Sequence, residues 1–200
     1  MDVRPTREED LPRIVRISRA VYRLEATWRE EELRSHLEIF PRGQLVAVDP
    51  SGRVVGMAAS LVPPLDDFSP DADWWTLTGK GHFTTHDPER GTVLYGAGVL
   101  VDPEVQGEGV GTALYRARER LLEELGLSRI VAGARISGYA RHAEQLTAHE
   151  YVERVVRKEL SDPTLSFQLA QGFQVLRVVA QYLPEDRESL GYAAVVEWRP

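Results

Sequence analysis

Apolar positions along this chain recur at two spacings, and the switches between them divide it into alternating strands and helices. Val3-Arg4-Pro5 reads as a short strand. Leu11, Ile14, Val15, Ile17 and Val21 fall on one helical face, opened by the capping box Thr6-Arg7-Glu8-Glu9. A second box, Thr27-Trp28-Arg29-Glu30, opens a helix that carries Leu33 and Leu37 and stops at Phe40-Pro41. Residues 45–48 and 53–61 are apolar runs joined by Asp49-Pro50-Ser51-Gly52, which predicts a hairpin. Residues 62–91 form a long insertion rich in Pro, Asp, Gly and aromatics, and such a loop is usually functional or disordered. A strand follows over 93–101. The next helix sets Val110, Ala113, Leu114, Ala117, Leu121, Leu122 and Leu125 in one stripe, with Gly126 as its stop. Residues 129–136 read as a buried strand.

Two helical pieces, over 138–146 and 148–159, make a second insertion at 137–162; Thr147 and Glu150 form the box of the latter piece. Asp162-Pro163 opens a short helix, with proline at its first position. Strands over 173–183 and 190–198 close the chain. The order β-α-α-β-β-β-α-β-α-β-β predicts an α/β fold, a mixed sheet with helices on both faces, as a single domain over residues 1–200. With 200 residues, 42% hydrophobic and 28% charged, the composition is that of an ordinary globular chain. The longest apolar run, 54–62, is too short for a membrane span and contains Gly56 and Ser60. The first residues lack the apolar core of a secretory signal, so a cytoplasmic location is the default expectation. A net charge of −7 argues against nucleic acid and suits a cationic small molecule such as an amine. With no cysteine, disulfides and thiol nucleophiles are excluded.

The strongest chemical signal is Gln106-Gly107-Glu108-Gly109-Val110-Gly111, which follows the apolar run Val99-Leu100-Val101 and opens the helix. Alternate glycines let the backbone run bare beside a ligand, and the helix start adds unpaired N–H groups and a positive dipole end. Strand, glycine bend and helix N-terminus together suit a phosphate group. The spacing is not the dinucleotide fingerprint, and no Lys-Ser or Lys-Thr follows as in a Walker loop. The bland alternative is a tight strand–helix turn that uses glycine for packing.

The string from Val99 through Leu114 resembles the pyrophosphate signature of GNAT-type N-acetyltransferases, Arg/Gln-x-x-Gly-x-Gly/Ala. Ser166 through Phe173 resembles the helix-to-strand segment of that family, ending in Gly-Phe. Further segments, among them Leu37–Pro41, His86-Asp87-Pro88, Glu150-Tyr151-Val152 and Asp162–Leu165, resemble a subgroup often fused ahead of a nitrilase-type carbon–nitrogen hydrolase domain. That hydrolase needs a nucleophilic cysteine, so none is expected within these residues.

The resemblance implies a central, mostly antiparallel mixed sheet and direct transfer of an acetyl group from acetyl-CoA to a primary amine of a small molecule or peptide. It implies that Val99, Leu100 and Val101 pair with the pantetheine arm, one N–H polarising the thioester carbonyl. The pyrophosphate would lie on Gln106, Gly107, Glu108, Gly109, Val110, Gly111 and Thr112. No metal is implied, and a homodimer is compatible with the fold. A non-catalytic acyl-CoA-binding sensor or regulatory domain of the same fold is the other reading.

Two side-chain positions depart from the family pattern. Relatives often carry a glutamate where this chain has Gly98, and a tyrosine that protonates the leaving thiolate where it has Gln168. A lysine-like amine, with a pKa of about 10.4, costs about 4 kcal/mol to deprotonate near neutral pH, so some group must help. Tyr139 and His86 are the candidate catalytic replacements; each is alternatively a packing residue, as are Tyr95 and His82. His142 and His149 are expected to face solvent. Asp66, Asp67, Phe68, Asp71, Asp73, Trp74, Trp75 and Phe83 are either an acidic, aromatic lid for a cationic amine or a solvated loop pinned by its tryptophans. Arg116, Arg118 and Arg120 read as an exposed helix face, from which one arginine could reach the CoA 3′-phosphate.

Overall fold

Both faces of β2 (Gln44–Val48) and β3 (Val54–Leu61) are buried along their whole length, which is why they read as continuous apolar runs. Val46 and Met57 face a core built with α1 (Leu11–Val21) and α2 (Glu30–Ile39); Leu45, Ala47 and Ala58 face α4 (Val110–Glu124). The computed structural model describes residues 1–22, 27–64 and 72–200. Among the described residues, the remaining elements are β1 (Asp2–Pro5), α3 (Trp74–Leu77), β4 (Leu94–Val101), β5 (Ile130–Arg135), α5 (Ala148–Val156), α6 (Leu165–Ala170), β6 (Gln174–Val179) and β7 (Ala193–Trp198), joined by short 3-10 turns.

The strands form one sheet in the order β1-β2-β3-β4-β5-β7-β6. Every neighbouring pair is antiparallel except β4 with β5. This is the mixed, mostly antiparallel α/β sheet that the element order and the resemblance predict. β4 and β5 pair at only three positions, Leu94 with Ile130, Tyr95 with Val131 and Gly96 with Ala132. Beyond Gly96 the two strands part. β4 is also bulged there, since Ala59 faces Gly98 and Ser60 faces Gly96, leaving Ala97 as the extra residue. A bulge and a splayed pair at one point open the sheet at its centre.

Several predicted boundaries shift, each for a local reason. The first cap is supplied by Asp10, not Thr6: its carboxylate accepts from the Arg7 N–H at 2.8 Å and pairs with Arg4 at 2.7 Å, which holds it in the fold. The second cap falls at Arg29, whose N–H donates to Glu32 at 2.9 Å, while the Trp28 N–H is taken by Ser18 Oγ at 2.8 Å. Of the helical piece over 138–146, one 3-10 turn forms, at Tyr139–Arg141. α6 starts at Leu165, after Asp162 has capped the Thr164 and Leu165 amides. The Thr147–Glu150 box forms as predicted, and Gly126 ends the turn after α4 at φ +65°. No described helix is long and apolar enough to cross a membrane.

Candidate active site

The glycine bend separates into two kinds of glycine. Gly107 and Gly109 take φ +86° and +84°, in open surroundings. An L side chain there would be strained by backbone conformation alone. Gly111, one residue inside α4, is needed for room: a Cβ there would stand 2.8 Å from Phe167 Cζ on α6. Gly109 is the N-cap of α4, and no side chain caps the first-turn amides. They face the mouth of the opening between β4 and β5 with the positive end of the helix behind them.

From this bend a cleft of about 760 Å³ runs through the sheet. Val99, Val101, Gln106, Gly107, Gly109, Val110, Gly111 and Thr112 line its near end. Leu100 turns its side chain into the core and Glu108 is exposed; neither is a lining residue. On the α4 side the floor is built from Tyr115, Arg118, Phe167 and Gln168. On the opposite side stand Tyr22, Trp28, Trp74, Trp75, Tyr182 and Glu188.

Arg118 is the largest departure from the sequence reading. Arg116 and Arg120 are exposed as expected, but Arg118 is 1% exposed. Its Nε donates to Ser60 Oγ at 3.0 Å, and its Nη2 donates to Ala59 O at 3.1 Å and Gly98 O at 2.9 Å. These bonds tie α4 across the bulge. A Cβ at position 96 would lie 2.9 Å from Arg118 Nη1, so glycine there makes room for the guanidinium. No carboxylate among the described residues pairs with it, and burial pushes its pKa down. A buried cation without a counter-ion carries a desolvation cost of several kcal/mol, here offset by carbonyl dipoles and the Tyr115 ring, whose centroid lies 5.2 Å from the guanidinium carbon. The sequence did contain the signal. Residue 118 is four after Leu114 and three before Leu121, inside the apolar stripe.

Trp28 explains why position 98 is glycine. A Cβ on Gly98 would stand 3.3 Å from Trp28 Cζ2, so the indole occupies the space that a glutamate side chain would need. Trp28 is fixed by edge contacts with His36 and Phe83 and by Trp74 at 5.3 Å. Across from it, Arg135 holds Asp186 with two bonds of 2.6 Å, reaches Glu188 at 3.3 Å and lies 5.0 Å from the Tyr22 ring centroid. Burial opposes the charge of Asp186, but the Arg135 hydrogen bond holds its carboxyl below the usual range.

Neither of the two candidate catalytic side chains, Tyr139 and His86, lines this cleft. Tyr139 donates to the Leu146 carbonyl at 3.2 Å, packs against Tyr151 and Tyr192, and lines a separate surface cavity of about 840 Å³ beside β6. His86 stacks on Phe40 at 4.3 Å, and its Nδ1 accepts from the Val62 N–H at 3.0 Å. It ties the insertion to the end of β3. Tyr95 is buried with its hydroxyl on that of Tyr182. Asp66, Asp67, Phe68 and Asp71 lie outside the described residues. Of the remaining loop residues, Trp74 Nε1 donates to Ala97 O at 3.0 Å and Trp75 Nε1 to Glu185 at 3.2 Å, so the tryptophans both pin the loop and wall the cleft. His149 is exposed, whereas His142 is half-buried against Tyr151. Among the described residues, no group of three or more His, Cys, Asp or Glu could hold a metal ion.

The chain belongs to the Acetyltransferase (GNAT) family, whose model matches residues 11–143. It is 34% identical over its full length to the uncharacterized N-acetyltransferase YkwB of Bacillus subtilis (strain 168), covering 88% of that protein. It is 38% identical over 99% of its length to the probable hydrolase YhcX of the same organism, of which it spans only 38%. In fold it is similar to the GphF GNAT-like decarboxylase in complex with isobutyryl-CoA, at TM-score 0.78 and 24% identity over 100% of this chain and 99% of that one. The loading GNATL domain of CurA from Lyngbya majuscula matches at TM-score 0.77 and 21% identity, over 99% and 96% of the two chains. At these identities the structural likeness concerns the fold. Family and fold together support acyl-CoA-dependent acyl transfer in general.

Proposed function

We propose that this domain transfers an acetyl group from acetyl-CoA to a primary amine of a small molecule or peptide, by direct attack in a ternary complex. The observation that carries the reading is one continuous cleft, which joins a helix start that no side chain caps to an aromatic wall through the gap where β4 leaves β5. Backbone amides of the bend and of α4 suit the diphosphate, and the unpaired edge of β4 at Val99–Val101 suits the pantetheine amides. On the opposite side, the rings of Trp28, Trp74 and Trp75 favour a cationic, ammonium-bearing acceptor, beside the Arg135–Glu188 ion pair. The amine nitrogen attacks the thioester carbonyl carbon, the N–C bond forms and the C–S bond breaks. The thiolate gains a proton as the nitrogen loses one.

A thiol-release assay over a panel of amines tests this. CoA should appear from acetyl-CoA only when an acceptor is present. The crowding of Gly98 by Trp28 removes the family's usual base and favours a second reading, a domain that binds acyl-CoA without turnover. Tight acetyl-CoA binding with no release across the panel would establish that reading instead.

A further inference from the structure

The Gln168 position, where relatives carry a tyrosine, is not chemically empty. Gln168 is 6% exposed, lines the cleft, and its Nε2 donates to the Tyr115 hydroxyl oxygen at 2.8 Å. Its Oε1 is buried and has no hydrogen-bond partner. Tyr115 projects from α4 into the same floor and is 2% exposed. Phe167 and Phe173 hold its ring at centroid distances of 5.5 and 5.3 Å, both edge-on. The Gln168 donor and the neighbouring Arg118 cation both act on the phenol oxygen. With the amide placed this way, the phenol hydrogen has no acceptor among the described residues. Turning the amide over would pair that hydrogen with Oε1 and leave Nε2 unmet instead. In either orientation one buried polar atom of this cleft-lining pair lacks a partner, which is expensive to keep unless something enters to meet it.

We infer that Tyr115 is the proton donor to the departing CoA sulfur, with Gln168 and Arg118 as positioning residues that hold the phenol and favour negative charge beside it. This deepens the transfer reading and rests on it. The tyrosine is moved from α6 to α4, and a glutamine at the vacated place orients it. As the C–S bond breaks, the electron pair goes to sulfur and the phenol proton follows. Solvent reprotonates the phenolate, which Arg118 stabilises meanwhile. Burial holds the Tyr115 hydroxyl above the ordinary phenol range, with Arg118 opposing, so it is protonated at neutral pH. Among the described residues, Arg118 on its own helix is the charged group that acts on it, and the charge of Tyr115 in turn acts on Tyr22 across the cleft. The other elements packed against it present neutral Phe167, Gln168 and Phe173.

The first test is Tyr115→Phe in the full chain. It should lower kcat for acetyl-CoA on the order of 100-fold with KM for acetyl-CoA unchanged, and lower Tm by a few degrees because Gln168 Nε2 loses its acceptor. The second is 3,5-difluorotyrosine at position 115, nearly the same shape with a more acidic hydroxyl. It should move the basic limb of the kcat–pH profile to lower pH, which a packing role would not do. A Tyr115→Phe enzyme within threefold of wild type overturns the assignment, as does a fluorotyrosine profile superimposable on wild type. Wild-type protein that releases no CoA in the presence of any amine would instead remove the transfer reading itself, and this role with it.

Discussion

Gly107 and Gly109 need glycine for backbone conformation, whereas Gly111 needs it for space, although all three look alike in the sequence. The distinction is measurable. Gly111→Ala sets a methyl 2.8 Å from Phe167 Cζ, so the ring must turn or α6 must shift, and we expect destabilisation of about 1–3 kcal/mol in urea unfolding. Unchanged stability would mean that the ring or α6 yields freely. Arg118 teaches the same lesson with opposite chemistry. Its spacing put it on the buried stripe, but its residue type argued for solvent. Tertiary structure resolved the conflict because the bulge at Ala97 exposed two carbonyls, Ala59 and Gly98, that only a long donor could satisfy.

At the scale of elements, hydrophobic spacing located nearly every helix and strand, and capping residues misplaced several starts. The reason is physical. A carboxylate three residues inside a helix competes with a threonine before it, and Asp10 and Glu32 win through their arginine partners. The contact between α2 and the insertion depends on pH. His36 stacks on Phe83 at 3.6 Å, its Nε2 meets Gly81 O at 2.7 Å, and its Nδ1 is buried without a partner. Burial lowers its pKa from 6.5 to about 4. The native state therefore holds this ring neutral while the unfolded chain takes a proton first. Its contribution, on the order of 3 kcal/mol, is complete above pH 6.5 and is lost as pH falls toward 4. Unfolding measured at pH 7.5 and 4.5 should show most of this loss, and His36→Gln should flatten it. An equal slope in the variant would assign the loss to other groups. Asp10 and Asp186, whose carboxyls are held below the ordinary value of 3.8, stabilise the fold above that pH and lose their contribution only as pH falls below it.

For the whole molecule, the proposed ligand would bridge α4, α6, β4 and β5, so its binding should stabilise the complete domain. Acetyl-CoA at one hundred times its Kd is expected to add about 2.7 kcal/mol. Gly109→Asp, which sets a carboxylate beside the proposed diphosphate site, should abolish both the binding by calorimetry and the thermal shift. A variant that kept its affinity would remove the bend from the site. The family, the order of elements and the glycine bend were legible in the sequence because each is a local or periodic property: spacing of apolar residues, turn chemistry and a motif of contiguous residues. The cleft was not. It arises where β4 and β5 stop pairing at Gly96, and it gathers Trp28, Tyr115, Arg118, Gln168 and Glu188 from segments up to 160 residues apart. Tyr139 and His86 looked reactive from their types and positions, yet packing gave the Tyr139 hydroxyl to a carbonyl and His86 Nδ1 to an amide, away from the cleft. Chain order determined which elements form, and only three-dimensional packing decided which polar atoms were left to face the cleft.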